Sequence, residues 1–152
     1  MTDQPTMPDG YAQGDYYDPF GDIAGPFWHK ITDGPDGAQQ HWFGLKIEER
    51  HLNSGARVHG GLTMTIADEA LGAAAWHFIG DQPAVTVSLT TNFIGAITEG
   101  MVLEAVATKV SRGGSMVFVQ GELLADGNVV ANASGVWKIL KGAFKTPFKD
   151  KD

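Results

Sequence analysis

Between Leu62 and Phe78 the chain offers apolar residues to nearly every face of a helix, and two adjacent acids, Asp68 and Glu69, stand in the middle of that run. Leu62, Ile66, Ala67, Ala70, Leu71, Ala74, Ala75 and Phe78 leave no continuous polar stripe. A helix apolar all round is buried all round. It is not a membrane span, because the acids interrupt it and it falls short of about 20 clean apolar residues. A carboxylate placed there costs several kcal/mol unless something compensates it. Such a conflict between local rule and position is expected at functional sites. The helix opens on Gly60-Gly61, where glycine admits a close ligand or backbone. Its first N–H groups lack intrahelical partners and carry the positive end of the helix dipole, which suits an oxygen gaining negative charge.

Gly61 and Asp68 lie seven residues apart, which is about 10 Å along a helix rising roughly 1.5 Å per residue. One helix does not easily bring both to one small reacting group. A second, antiparallel copy would bring Asp68 of one chain to Gly61 of another, so the spacing predicts a two-fold dimer with two composite sites.

The 152 residues suffice for one domain with a sizeable core. No cysteine is present, which excludes disulfides and thiolate metal sites and suits a reducing, cytoplasmic setting. No secretory signal pattern opens the chain. A net charge of -7 without a basic block argues against nucleic acid as a partner. A phosphorylated ligand needs only a local basic patch.

Residues 1–18 carry prolines, glycines and aspartates without periodicity and are expected to form a flexible acidic tail, from which Tyr11, Tyr16 and Tyr17 are available to dock. Residues 19–31 predict a short helical turn and a first strand. After the Pro35-Asp36-Gly37 turn, Trp42 to Arg50 alternates as a strand with Phe43, Leu45 and Ile47 on one face. A polar loop, 51–58, feeds the central helix. Four strands follow it. In the first, Val85, Val87, Leu89, Thr91 and Phe93 alternate with Thr86, Ser88, Thr90 and Asn92. Three more strands span 101–111, 115–124 and 128–139, with the hairpin signal Ala125-Asp126-Gly127 between the last two. Residues 141–152 form a Lys-rich C-terminal tail. The pattern predicts an α+β domain over 19–140, an antiparallel curved sheet wrapped around one long central helix.

At Asn53, His59-Gly60-Gly61 and Asp68, nine residues after His59, the sequence resembles the hotdog-fold thioesterases of the phenylacetate-degradation (PaaI-like) group, relatives of the 4-hydroxybenzoyl-CoA thioesterases. The resemblance extends over roughly residues 19–140. It implies a hotdog fold and hydrolysis of acyl-CoA thioesters by a homodimer or homotetramer, without a cofactor. It assigns Asp68 as nucleophile or general base and the Gly61 N–H as donor to the thioester oxygen. Asn53 and His59 would position water, carbonyl or leaving sulfur, and Thr86 would help hold the water. Glu69 lies about 100° round the helix from Asp68, so both cannot face one pocket.

CoA carries phosphates, and the chain has three arginines, Arg50, Arg57 and Arg112. Arg112 precedes Gly113-Gly114-Ser115, whose backbone N–H groups can join it in holding phosphate. Gly60, Arg112, Gly113 and Ser115 are therefore the expected CoA-binding residues. His29, His41, His51 and His77 lack the close His/acid spacing of a zinc site, so no metal is expected. No Gly-x-Ser-x-Gly elbow points to a serine triad. The four tryptophans are expected in the core, at interfaces or along an acyl pocket. Rival readings are a non-catalytic acyl-CoA binder and a hotdog hydratase or dehydratase.

Overall fold

The structure, a computed structural model, describes residues 6–14 and 18–142. The expected C-terminal tail therefore lies outside the described residues from 143 onward, as do Tyr16 and Tyr17. In chain order the elements are β1 (Ala12–Gln13), α1 (Pro19–Ala24), β2 (Trp28–Asp33), β3 (Gln39–Lys46), a single 3-10 turn (Glu49–His51), α2 (Gly60–Phe78), β4 (Ala84–Phe93), β5 (Val102–Gly113), β6 (Met116–Ala125) and β7 (Asn128–Ile139). The strands form one antiparallel sheet in the order β1-β2-β3-β5-β6-β7-β4. Helix α2 packs on β3 through β7. This is the hotdog fold, with the sheet wrapped around one long helix.

Alternation drives the wrapping. Along β7, Ala131, Ala133, Gly135, Trp137 and Ile139 turn inward while their neighbours are less buried. On the helix, Ile66, Ala67, Ala70, Leu71 and Ala75 are fully buried. The alanines let the helix axis sit close to the sheet. Leu71 reaches into the space over Gly121, where a Cβ would lie 2.6 Å from Leu71 Cδ1. Phe43, Leu45 and Ile47 face the core as their alternation predicts.

Two local expectations are corrected. The strand expected over 42–50 begins at Gln39 and stops at Lys46, because Glu48 and His51 bond reciprocally and close a 3-10 turn. Part of the segment expected to be a tail is packed. Ala12–Gln13 pairs with Trp28 and His29, and the Tyr11 hydroxyl donates to Glu104 Oε1 at 2.7 Å. Within one protomer the sheet covers only part of α2, and one face of the helix stays open. Gly61, Met64, Asp68, Gly72 and Trp76 follow one another at helical spacing, and none is buried. Met64 is 37% exposed and Trp76 53%. The stripe runs beside β4, the edge strand next to β7.

Candidate active site

The centre of that stripe is Asp68. Thr86 Oγ1 donates to Asp68 Oδ1 at 2.8 Å. This contact depends on an irregularity in β4. Simple alternation would put Thr86 on the face opposite Leu89, Thr91 and Phe93. Instead the register shifts between Thr86 and Ser88, and Val87 is the extra residue of a β-bulge. Thr86 pairs with Trp137, Leu89 with Gly135, Thr91 with Ala133 and Phe93 with Ala131. The β7 partners all face inward, so the bulge brings Thr86 round to the helix side.

The helix N-terminus forms the second corner. His59 is the N-cap, and its Nδ1 accepts the Gly61 N–H at 2.9 Å. Its carbonyl takes the N–H groups of Leu62 and Thr63. The Gly60 N–H has no acceptor among the described residues. A Cβ at Gly60 would lie 3.4 Å from Phe93 Cζ, so the Phe93 ring covers the glycine opening. With Met64 and Ile94 it gives this end an exposed apolar rim.

Glu69 turns toward a different neighbourhood. Burial pushes its carboxyl up to about 7, and the nearby Asp18 and Asp68 add to the rise. The two adjacent acids therefore occupy distinct surroundings, Asp68 on a hydroxyl donor and Glu69 half-buried within reach of the Asp18 charge.

A family model described as the thioesterase superfamily matches residues 55–131, which include this helix and β4. The chain belongs to the thioesterase superfamily. It is 37% identical over 135 residues to the "Putative esterase PA0474" of Pseudomonas aeruginosa, covering 88% of this chain and 97% of that one. Among solved structures, a mutant of the phenylacetic acid degradation protein PaaI from Thermus thermophilus superposes with a TM-score of 0.66 at 26% identity, over 81% of this chain and all 100% of that one. The BH2602 protein of Bacillus halodurans, solved with CoA, gives 0.61 at 32% identity over 65% of this chain and 66% of that one. The match is of the hotdog, PaaI-like kind, and the chain is a hydrolase of the thioesterase superfamily.

The other sequence-predicted residues of this thioesterase-superfamily chain fall in two places. Asn53 Oδ1 accepts the N–H groups of Gly55 at 2.9 Å and Arg57 at 3.3 Å, so its side-chain carbonyl closes the loop before α2. Arg112, Gly113 and Ser115 sit at the β5–β6 turn. Arg112 Nε donates to the Gly114 carbonyl at 2.9 Å, and the Ser115 hydroxyl accepts from Lys138 Nζ. Arg112 pairs with Val117, Val117 with Trp137 and Trp137 with Thr86. Arg112 is thus three strands from Thr86, about 14 Å at roughly 4.8 Å per strand. Arg50 is taken up by α1, since it donates to the carbonyls of Ile23 and Gly25.

Sequence reasoning missed Phe93 as the cover of Gly60, and it missed that His59 occupies the Gly61 amide. Neither leaves a one-dimensional signal, as both depend on where β4 lands against α2. Histidines that look scattered in sequence also meet: the rings of His41 and His77 lie 4.4 Å apart. Among the described residues no group of three or more His, Cys, Asp or Glu is placed to hold a metal. No described helix is long and apolar enough to cross a membrane.

Proposed function

We propose that the chain hydrolyses acyl-CoA thioesters to the free acid and CoA, as a homodimer or a dimer of dimers with sites shared between protomers. The observation that carries this reading is Asp68, half-buried on the open stripe of α2 and oriented by Thr86 at 2.8 Å. A thioester carbonyl is weakly stabilised by resonance, so a positioned carboxylate and an amide cradle suffice to activate it. Asp68 takes a proton from water, or attacks the carbonyl carbon itself. The oxyanion is received at the helix start of the second chain, by Gly61 of the partner subunit. Before that, the Gly61 amide must leave His59 Nδ1, which turns the imidazole toward the leaving sulfur. The Gly60 amide stands beside it as a second donor. Asn53 retains its side-chain N–H groups for the carbonyl or the sulfur.

The uncovered stripe of α2 and the β4 edge support the dimer. Val85, Val87 and Phe93 are exposed there, with Val87 56% accessible. An exposed apolar edge strand is a surface that proteins normally pair or cover. At the far end of the site, Arg112, Gly113, Ser115 and Lys138 are the proposed receivers of the CoA phosphates. The 32%-identical relative solved with CoA supports that ligand. The cysteine-free composition fits a cytoplasmic setting.

A panel of acyl-CoAs assayed by thiol trapping tests the reading and sets the acyl preference. Hydrolysis releases thiol, whereas hydration and simple binding do not. Asp68→Asn keeps the shape of the side chain and removes its basic carboxylate. It is expected to lower kcat by about 10²–10⁴-fold, and wild-type turnover by this variant overturns the mechanism.

A further inference from the structure

Trp137 is 3% exposed, and its indole N–H, which donates to no group among the described residues, is not one of the sealed-off polar atoms and so keeps a path to water. Two glycines frame the ring. A Cβ at Gly135 would lie 2.6 Å from the far edge of the indole, and one at Gly72 would lie 3.3 Å from Nε1. The N–H edge of the ring therefore lies beside Gly72. Gly72 follows Asp68 by one helical turn, on the same face.

Four residues make a frame. Thr86 and Trp137 are register partners on the inner face of the sheet. Asp68 and Gly72 are a turn apart on the helix above them. Thr86 joins the first corner to the helix through its bond to Asp68, and Trp137 Nε1 approaches Gly72 at the other. One turn is about 6 Å at roughly 1.5 Å per residue. A water that accepts from an N–H on one side and donates to a carboxylate on the other, at roughly 2.8–2.9 Å each and a near-tetrahedral angle, bridges about 4.7 Å, which the Asp68 side chain can close by extending from its own turn.

We infer that the Trp137 indole N–H holds the attacking water against Asp68, which makes Trp137 a positioning residue in hydrolysis. The inference rests on the thioesterase reading, with Asp68 as general base. An indole N–H is a donor only. It occupies one lone pair of the water while Asp68 takes one hydrogen, and the second lone pair faces the thioester. The water oxygen bonds to the carbonyl carbon as its proton passes to Asp68. The C–S bond then breaks, its electron pair leaves on sulfur, and the thiolate takes that proton as the thiol. Gly72 is required in this scheme because any side chain there would enter the place of the water.

Trp137→Phe keeps a ring and removes the donor, while Gly72→Ala keeps the donor and fills the space beside it. Both are expected to lower kcat about tenfold or more, with KM within about twofold, across every acyl-CoA that the wild type accepts. Far-UV circular dichroism and thermal melts establish that each variant is folded. Independently of turnover, the indole proton of Trp137 is expected to show a nuclear Overhauser contact to a held water in the wild type, and none in Gly72→Ala. An unchanged kcat in both variants overturns the inference. So does the absence of that water contact in the wild type, or a loss confined to one acyl class and expressed in KM, which would make the N–H an acyl contact. If the wild type hydrolyses no acyl-CoA, the function proposed above fails, and loss of the water contact in Asp68→Asn still decides whether Trp137 and Asp68 share a water.

Discussion

Glu69 shows how far a single residue can depart from its neighbour. Burial, Asp18 and Asp68 raise its carboxyl from 4.5 to about 7. In the unfolded chain it ionises near its ordinary value, so between those two pH values the folded chain holds the extra proton. Stability contributed by this group therefore falls as pH rises through that interval, and the loss is complete above about pH 7. Glu69→Gln removes the titration. Thermal melts should show the variant more stable than wild type at pH 8, with the difference closing toward pH 4.5; a gap of equal size at both ends would mean that the charge of Glu69 is not the cause. The sequence places both acids on the helix and separates them by angle, and it leads to Asp68 through spacing from His59. It does not disclose that Asp18 acts on Glu69, because that needs the chain ahead of α1 to come back near α2. Asn53 is the opposite case, since its side-chain carbonyl closes its own loop through residues two and four positions on, a local bond that an Asn in a polar loop makes available from sequence.

At the scale of elements, the β4 bulge decides the site. Reading the strand as strict alternation puts Thr86 away from the helix, and one extra residue, Val87, reverses that. Deleting Val87 is expected to leave a folded protein whose Thr86 turns outward. Leu89, Thr91 and Phe93 anchor the rest of the strand, so the flip falls on the Ala84–Thr86 end. Catalytic misplacement of this kind costs on the order of 10²-fold in kcat, measured with the best acyl-CoA of the panel. The first strand offers a second case. Lys30 lies over the Tyr11 ring at 4.4 Å and the Trp42 ring at 5.0 Å. Burial and the Glu104 carboxylate push the Tyr11 hydroxyl well above its ordinary range, so it stays a donor throughout the working pH. This strap crosses Gly44, where a Cβ would lie 2.5 Å from Met7 and 3.0 Å from Tyr11. Gly44→Val should expel it. Hydrogen exchange at Ala12–Gln13 would speed up, and stability would drop by about 1–3 kcal/mol, while β3 and β5 stay protected.

For the whole molecule, the proposed function has no single protomer containing a complete site. The separation of Asp68 from Gly61 along one helix argues for it, and the bare stripe from Gly61 to Trp76 offers a surface for the partner. Complementation tests this directly. Asp68→Asn removes the acid, and Gly61→Pro removes an N–H in the first helical turn, where proline is tolerated. Each alone should be nearly inactive. Mixed and reassembled, half the dimers would pair the two variants, and each of those would hold one intact site out of two. Recovered activity should approach about one quarter of wild type. No recovery, with mixed dimers demonstrated by mass, would place both groups in the same chain's site.

Local chemistry settled much of this protein before any fold was known. Apolar runs with helical and two-residue periods dictate one long helix and its strands, because burying apolar area dominates folding and each period exposes one set of faces. The His59-Gly60-Gly61 opening and the acid at position 68 are likewise local, since a helix start and a position along the helix are properties of the chain itself. What the tertiary structure alone decided is which groups meet. It carried β4 to the edge beside β7, let a bulge turn Thr86 onto Asp68, laid Phe93 over Gly60 and brought the edge of Trp137 to Gly72. Those meetings join residues far apart in the chain, and their energies depend on packing in three dimensions that no one-dimensional period encodes.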